Sequence, residues 1–323
     1  MLISIGLILT GFILVIKGAD WLVKGATSLA KKNNISDLVI GLTIVSFGTS
    51  APEMVVNSIA SFQNHSDIVF GNIIGSNNFN LFVILGITGL IMPITVQSST
   101  VWKEIPISFF AALLLLVFAN NFFWQSNFII SRPEGLLFLS AFGLFLYYIY
   151  RAIITEDTKV ELAIIEEKIQ KSNLKIWGLI VFGLAGLIAG GKMVVNNAIV
   201  IATILGVSEK IIGLTIVAAG TSLPELVTSV VAVIKKNDDI AIGNIIGSNI
   251  FNILLILPVS ALINPLVYNP AFNTDIYLLS GGTLLLFIAM FTWKRKKLDR
   301  FEAAVLLGVY ILYTLYLIEK EIS

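Results

Sequence analysis

The chain has 323 residues, of which 57% are hydrophobic and 13% charged. Soluble domains carry about a quarter charged residues, so this composition belongs to a membrane protein. A net charge of +1 gives no reason to expect a nucleic-acid partner, and the lack of cysteine excludes disulfides, thiol catalysis and Cys-ligated metals.

Apolar stretches of roughly 17–25 residues mark membrane helices. They predict an all-α polytopic membrane protein with about ten transmembrane helices, at 3–29, 37–62, 67–91, 103–120, 133–150, 174–203, 209–234, 239–263, 273–292 and 300–318. The opening stretch, MLISIGLILTGFILVIKGADW, has no basic n-region and no small-residue cleavage site, so it reads as the first span. Short polar connections such as QNHSD, KKNDD and VSEK join most spans. His65, the only histidine, lies in QNHSD and reads as solvated loop. The stretch 151–173 is rich in Glu and Lys and weakly amphipathic. It is expected to link a first five-helix repeat, 1–150, to a second, 174–323.

Lys and Arg set the expected orientation. Lys31, Lys32, Lys103, Arg151, Lys168, Lys235, Lys236, Lys296 and Lys297 fall in loops that share one face if ten spans are right. The opposite face has little beyond Arg132, Lys210 and Lys320. The protein is therefore expected in the cell membrane, with both termini outside and the 151–173 linker cytoplasmic. Trp21, Trp102, Trp124, Trp177 and Trp293 lie near span ends, as interfacial anchors do.

The segment from Gly41, GLTIVSFGTSAPEMVV…GNIIGSNNFNLFVIL, recurs from Gly213 as GLTIVAAGTSLPELVT…GNIIGSNIFNILLIL, an offset of 172 residues (213 − 41) without a gap. Chance does not produce such a match. Five spans per half is an odd number, so the two copies enter the membrane from opposite sides. Inverted repeats of this kind are common in secondary transporters, with the substrate site near the midplane.

Each repeat carries two polar motifs mid-span. The first is GTSxPE, comprising Thr49, Ser50, Pro52 and Glu53, and again Thr221, Ser222, Pro224 and Glu225. The second is GNIIGSNxFN, from Gly71 to Asn80 and from Gly243 to Asn252, with Ser76 and Ser248 inside it. Proline removes a donor and clashes with the preceding turn, so Pro52 and Pro224 are expected to kink or break their helices. The glycines of the second motif are expected to allow unwinding and close helix approach. An ionisable residue at mid-membrane costs at least about 2.5–3.5 kcal/mol, so two of them imply a compensating cation. Carboxylates, hydroxyls, amide oxygens and backbone carbonyls form a hard-oxygen donor set suited to Ca²⁺. Without thiols or a membrane-buried histidine, zinc and copper are disfavoured. Na⁺ could occupy the same oxygens, and exclusive occupancy by either ion would give antiport.

These doubled motifs resemble the paired α-repeats of the cation/calcium exchanger superfamily, most nearly its prokaryotic sodium/calcium exchangers, over the whole chain. The resemblance implies a secondary antiporter exchanging several Na⁺ for each Ca²⁺, with no cofactor. It implies Glu53 and Glu225 as central ligands, and Thr49, Ser50, Ser76, Thr221, Ser222 and Ser248 as mainly Na⁺-site oxygens. Asn80 and Asn252 would hold the remaining polar corners, and backbone carbonyls of Ser46 and Ala218 would complete the cage. The helices around Gly18 and Gly190 would form a sliding gate. Some relatives, the K⁺-dependent branch among them, place Asp where this chain has Asn252; Asn at both corners makes K⁺ co-transport less expected. A single chain holding both halves is expected to act as a monomer in the bilayer. The rivals are H⁺/Ca²⁺ exchange through the same glutamates and a passive cation channel. An intramembrane enzyme is disfavoured because Ser50 and Ser222 have no base other than glutamate.

Overall fold

The structure is a computed structural model that describes residues 1–120, 128–160, 172–205, 218–292 and 296–322. The start of the expected seventh span, residues 161–171 of the central linker, Trp124, Trp293 and Lys210 lie outside these residues. The helices, in chain order, are α1 (Leu2–Lys32), α2 (Asp37–Thr49), α3 (Ala51–Phe62), α4 (Ser66–Ile91), α5 (Thr100–Ala119) and α6 (Arg132–Val160) in the first half. The second half has α7 (Asn173–Ile204), α8 (Ala218–Thr221), α9 (Leu223–Ile234), α10 (Asp238–Ile263), α11 (Asn273–Ala289) and α12 (Arg300–Ile322). Among the described residues, 8 helices are long and apolar enough to cross a membrane, and the bent pair α2–α3 makes a ninth span. The counterpart pair α8–α9 begins at the edge of the described residues, where the tenth span is expected.

The expected helix breaks fall at the prolines. Helices α2 and α3 meet at 47° across Ser50. Pro52 and Pro224 each occupy the second position of the helix that follows the break, where a missing N–H costs little. Ser50 (φ −82°, ψ 7°) and Ser222 (φ −87°, ψ 8°) adopt nearly the same bridge conformation, so the two repeats break alike. The heptapeptides behave differently from expectation. GNIIGSN stays α-helical in both copies, within Ser66–Asn78 and Asp238–Phe251. The irregularity comes just after it, as wide π-helical turns at Phe79–Ile84 and Asn252–Ile256. With apolar residues following and no proline between Gly71 and Asn80, nothing in the heptapeptide removes a backbone donor, so the helix has no cause to unwind there.

Packing divides the chain along a line that crosses the repeats. One compact unit comprises Met1–Val55 and Ser140–Ser248; the other comprises Val56–Leu139 and Asn249–Ser323. Each thus takes helices from both halves of the sequence.

In the first unit, α1 and α7 cross antiparallel at glycines. A Cβ on Gly18 would lie 2.7 Å from the Gly183 carbonyl, one on Gly190 would lie 2.7 Å from the Gly11 carbonyl, and one on Gly25 would lie 2.8 Å from Ile180. Small residues let two backbones approach this closely and gain dispersion contacts that lipid cannot better. Past the midpoint of α1, Asp20 Oδ1 pairs with Lys235 Nζ at 2.7 Å and Oδ2 with Lys24 at 2.9 Å, tying α1 to the end of α9.

In the second unit, two short antiparallel ribbons join the loops of the two repeats. Strand β1 (Ile94–Thr95) pairs with β4 (Lys297–Leu298), and β2 (Ile129–Ile130) pairs with β3 (Leu266–Val267). Gly282 receives the Phe82 ring, leaving no room for a side chain.

The α1–α7 crossing is testable by overpacking. Gly18→Val should destabilise by about 1–3 kcal/mol, because backbone atoms must move to admit the side chain. The check is a thermal-shift midpoint in detergent, which should fall, while Gly143→Ala at an exposed helical position should leave it unchanged or raise it slightly.

Candidate ion-binding site

The carboxylates expected from the sequence come together in the first unit. Glu53 opens α3 and Glu225 opens α9, and each is only 1% exposed. Each accepts a hydrogen bond from the break serine of the other repeat. Ser50 Oγ donates to Glu225 Oε1 at 2.9 Å, and Ser222 Oγ donates to Glu53 Oε1 at 3.4 Å. Because the serine precedes the glutamate of its own repeat by three residues, the reciprocal pairing forces both helix breaks into one cluster. Glu225 Oε2 is buried with no hydrogen-bond donor against it among the described residues. A buried carboxylate oxygen in that position is what an oxygen-seeking cation requires.

Thr49 and Ser46 are fully buried beside the break. The Ser46 carbonyl accepts the Ser50 N–H at 3.0 Å and the Thr49 hydroxyl at 3.3 Å, so it is already engaged. Pro52 deprives the Gly48 carbonyl, four residues earlier, of its usual helical donor, and Pro224 does the same at Gly220. Thr221 is half-buried, Ser248 is fully buried in the second heptapeptide, and Ala218 begins α8. Gly247 of that heptapeptide lies against Ser46, where a Cβ would come within 2.7 Å of its Oγ. Gly243 lies equally close to Leu38 and Gly41, so α10 approaches α2 through both motif glycines.

Asn244, the second residue of that heptapeptide, is a site residue that the sequence reading left out. It is fully buried. Its Oδ1 accepts from Thr49 Oγ1 at 2.9 Å, and its Nδ2 donates to Ser229 Oγ at 3.0 Å and to the Glu225 carbonyl at 3.3 Å. It fixes both the Thr49 hydroxyl and the Glu225 backbone. The signal was available, since Asn244 and its counterpart Asn72 stand in the repeated motif; what spacing does not give is which partner each amide meets.

The second unit gathers the amides. Asn80 and Asn252, the expected corners, are each 1% exposed, and Asn77 and Asn249, not foreseen, are also buried. Asn80 Nδ2 donates to Asn249 Oδ1 at 3.1 Å, and Asn252 Nδ2 donates to Asn77 Oδ1 at 2.9 Å. Asn77 Nδ2 donates to the Asn249 carbonyl and Asn249 Nδ2 to the Asn77 carbonyl, both at 3.3 Å. Ser76 Oγ, Asn80 Oδ1 and Asn252 Oδ1 are buried with no hydrogen-bond partner among the described residues. Asn57, on α3, donates to Asn72 Oδ1 at 2.7 Å. His65 is exposed between α3 and α4 and belongs to neither cluster.

Buried carboxylates, hydroxyls and amide oxygens, contributed twice by repeated membrane helices, define a polytopic cation transporter. The family model for sodium/calcium exchanger proteins matches residues 3–151 and 175–319, and the chain belongs to that family. It is 40% identical over 320 residues to a protein of Alkalimonas amylolytica described as a candidate antiporter, CaxA, covering 97% of this chain and 98% of that one. It is 32% identical to the sodium/calcium exchanger MaX1 of Methanosarcina acetivorans, covering 96% and 97% of the two chains. A solved structure of the sodium–calcium exchanger NCX_Mj, soaked with 10 mM Na⁺ and zero Ca²⁺, superposes with a TM-score of 0.81 at 32% identity, covering 98% of this chain and 99% of that one. The chain is thus a multi-pass membrane cation/Ca²⁺ antiporter, of a family that moves ions and does not catalyse a chemical reaction.

Asn244→Ala should leave the buried Ser229 and Thr49 hydroxyls without their amide partner. Loss of buried hydrogen bonds of this kind costs about 1–3 kcal/mol. The thermal midpoint should fall, and Ca²⁺ transport in proteoliposomes should slow even where folding, checked by gel filtration, is retained.

Proposed function

We propose that the chain is a Na⁺-driven Ca²⁺ antiporter that works by alternating access, with Glu53 and Glu225 as its central ligands. The observation that carries this reading is the reciprocal pairing of two buried carboxylates with the opposite repeat's serine. Ionised, the pair carries two negative charges, which one Ca²⁺ or two Na⁺ would neutralise. An uncompensated charge at membrane depth costs at least about 2.5–3.5 kcal/mol, so a bare site resists moving through the low-dielectric state. A site that moves only when filled, and that Ca²⁺ and Na⁺ cannot fill together, exchanges one for the other. Hard oxygens in a flexible cage suit Ca²⁺ better than Mg²⁺, which gives up water reluctantly.

In this reading Thr49, Ser50, Thr221 and Ser222 supply hydroxyl oxygens around the carboxylates, and Ser76, Ser248, Asn80 and Asn252 supply further oxygens. Backbone carbonyls of Ser46 and Ala218 complete the set. In this reading both termini lie outside and 151–173 in the cytoplasm, which the distribution of Lys and Arg supports. One chain contains both halves of each cluster, so a monomer in lipid suffices for transport.

The reading is tested in proteoliposomes loaded with Na⁺. An outward Na⁺ gradient should drive uptake of radiolabelled Ca²⁺, and collapsing it should stop uptake. Uptake that ignores Na⁺ and follows a pH gradient would assign a proton exchanger instead, and flux indifferent to any counter-ion would assign a channel. Glu53→Gln and Glu225→Gln should each abolish Ca²⁺ exchange, and wild-type rates in either would remove that residue from the site.

A further inference from the structure

We propose that Asn77 and Asn249 are positioning residues that lock the amides of Asn252 and Asn80, so that these present oxygen rather than NH₂ to the transported cations. The inference rests on the antiport reading above, in which the amide oxygens of Asn80 and Asn252 meet an ion.

An asparagine amide is nearly the same shape either way round. One orientation offers an acceptor and the other offers two donors. A cation binds the first and is repelled by the second. A ligand asparagine therefore needs something to fix its flip. Here the flips follow from the backbone, which has no such ambiguity. A carbonyl only accepts, so the face that Asn77 turns to the Asn249 carbonyl must be its NH₂, and the face Asn249 turns to the Asn77 carbonyl must be its NH₂. Their Oδ1 atoms must then face the other way, where only a donor satisfies them. The donors are Asn252 Nδ2 on Asn77 Oδ1 and Asn80 Nδ2 on Asn249 Oδ1. With both NH₂ groups engaged, Oδ1 of Asn80 and of Asn252 are left as the acceptors. Both of those atoms are buried with no hydrogen-bond partner among the described residues. A buried amide oxygen without a donor is costly unless something with positive charge meets it.

The arrangement is the same in both repeats. Asn77 and Asn249 differ by the repeat offset, as do Asn80 and Asn252, and each orienting bond runs from one repeat to the other. Asn252 opens one π-helical turn and Asn80 lies inside the other, so the locked amides sit where the backbone departs from regular helix.

A carboxylate has two equivalent oxygens and needs no orienting partner, which gives the test. In purified, reconstituted protein, Asn77→Ala should raise the KM for Ca²⁺ or Na⁺ roughly tenfold, the usual scale for losing an outer partner of a metal ligand. In the Asn252→Asp background the same Asn77→Ala change should alter KM little, because orientation no longer matters there. In the Asn80→Asp background it should still raise KM, since Asn77 orients Asn252 and not Asn80. The mirror cycle, Asn249→Ala with Asn80→Asp, repeats the measurement should either variant fold poorly, with gel filtration and thermal midpoint as the folding checks. A general structural role predicts the same loss in all backgrounds. That result, or a wild-type KM in both Asn77→Ala and Asn249→Ala, overturns the positioning role. Unchanged KM for both ions in Asn80→Leu and Asn252→Leu instead overturns the premise that these oxygens meet an ion, and the inference with it.

Discussion

Two carboxylates, each 1% exposed, lie in the first turns of α3 and α9, just past the helix breaks of a membrane-spanning chain. Burial strips a carboxylate of its water, and each accepts a hydrogen bond from the other repeat's serine, Ser50 or Ser222. The rest of the site answers that deficit. Proline breaks bring serine hydroxyls to the carboxylates. Glycines at 41, 243 and 247 let α2 and α10 close around them. Asn244 holds the Thr49 hydroxyl and the Glu225 backbone in place. In the antiport proposed above, a cation completes the surroundings of these carboxylates.

Much of this was legible in the sequence, and the reasons are specific. The repeat showed because 172 residues separate the copies without a gap, and the helix breaks showed because proline has no N–H to give. The carboxylates showed because charge is rare in a chain 13% charged and rarer still mid-span. The heptapeptide misled, because glycine permits unwinding without requiring it, and the helix stayed regular through Asn78. The π-helical turns that follow have no sequence mark, since Phe79–Ile84 and Asn252–Ile256 read as ordinary apolar helix. Asn77, Asn249 and Asn244 were in plain view within the motif. Their roles depend on which face of an amide meets which partner across repeats, and no periodicity within one segment carries that information.

The two clusters share a rule of construction. The carboxylate–serine bonds in one compact unit and the asparagine bonds in the other all run between repeats, and none of these site contacts closes within a single half. A single repeat would hold a glutamate without its serine and an asparagine without its orienting amide. Association of the halves therefore assembles the candidate site as well as the fold, and any motion of one half against the other must act on the ligand set directly.

Repeated sequence does not yield identical geometry, and the inequality bears on mechanism. The Ser50–Glu225 bond is 2.9 Å and its counterpart Ser222–Glu53 is 3.4 Å. Asn244 donates to a serine hydroxyl and a backbone carbonyl, whereas its counterpart Asn72 accepts from the Asn57 amide. In inverted halves the two faces of the membrane are equivalent by sequence, so a site open to one side requires the halves to differ in conformation. The opposite state is reached when they exchange conformations. The unequal hydrogen bonds to the paired glutamates, 2.9 Å and 3.4 Å, are a local difference of that kind between the halves.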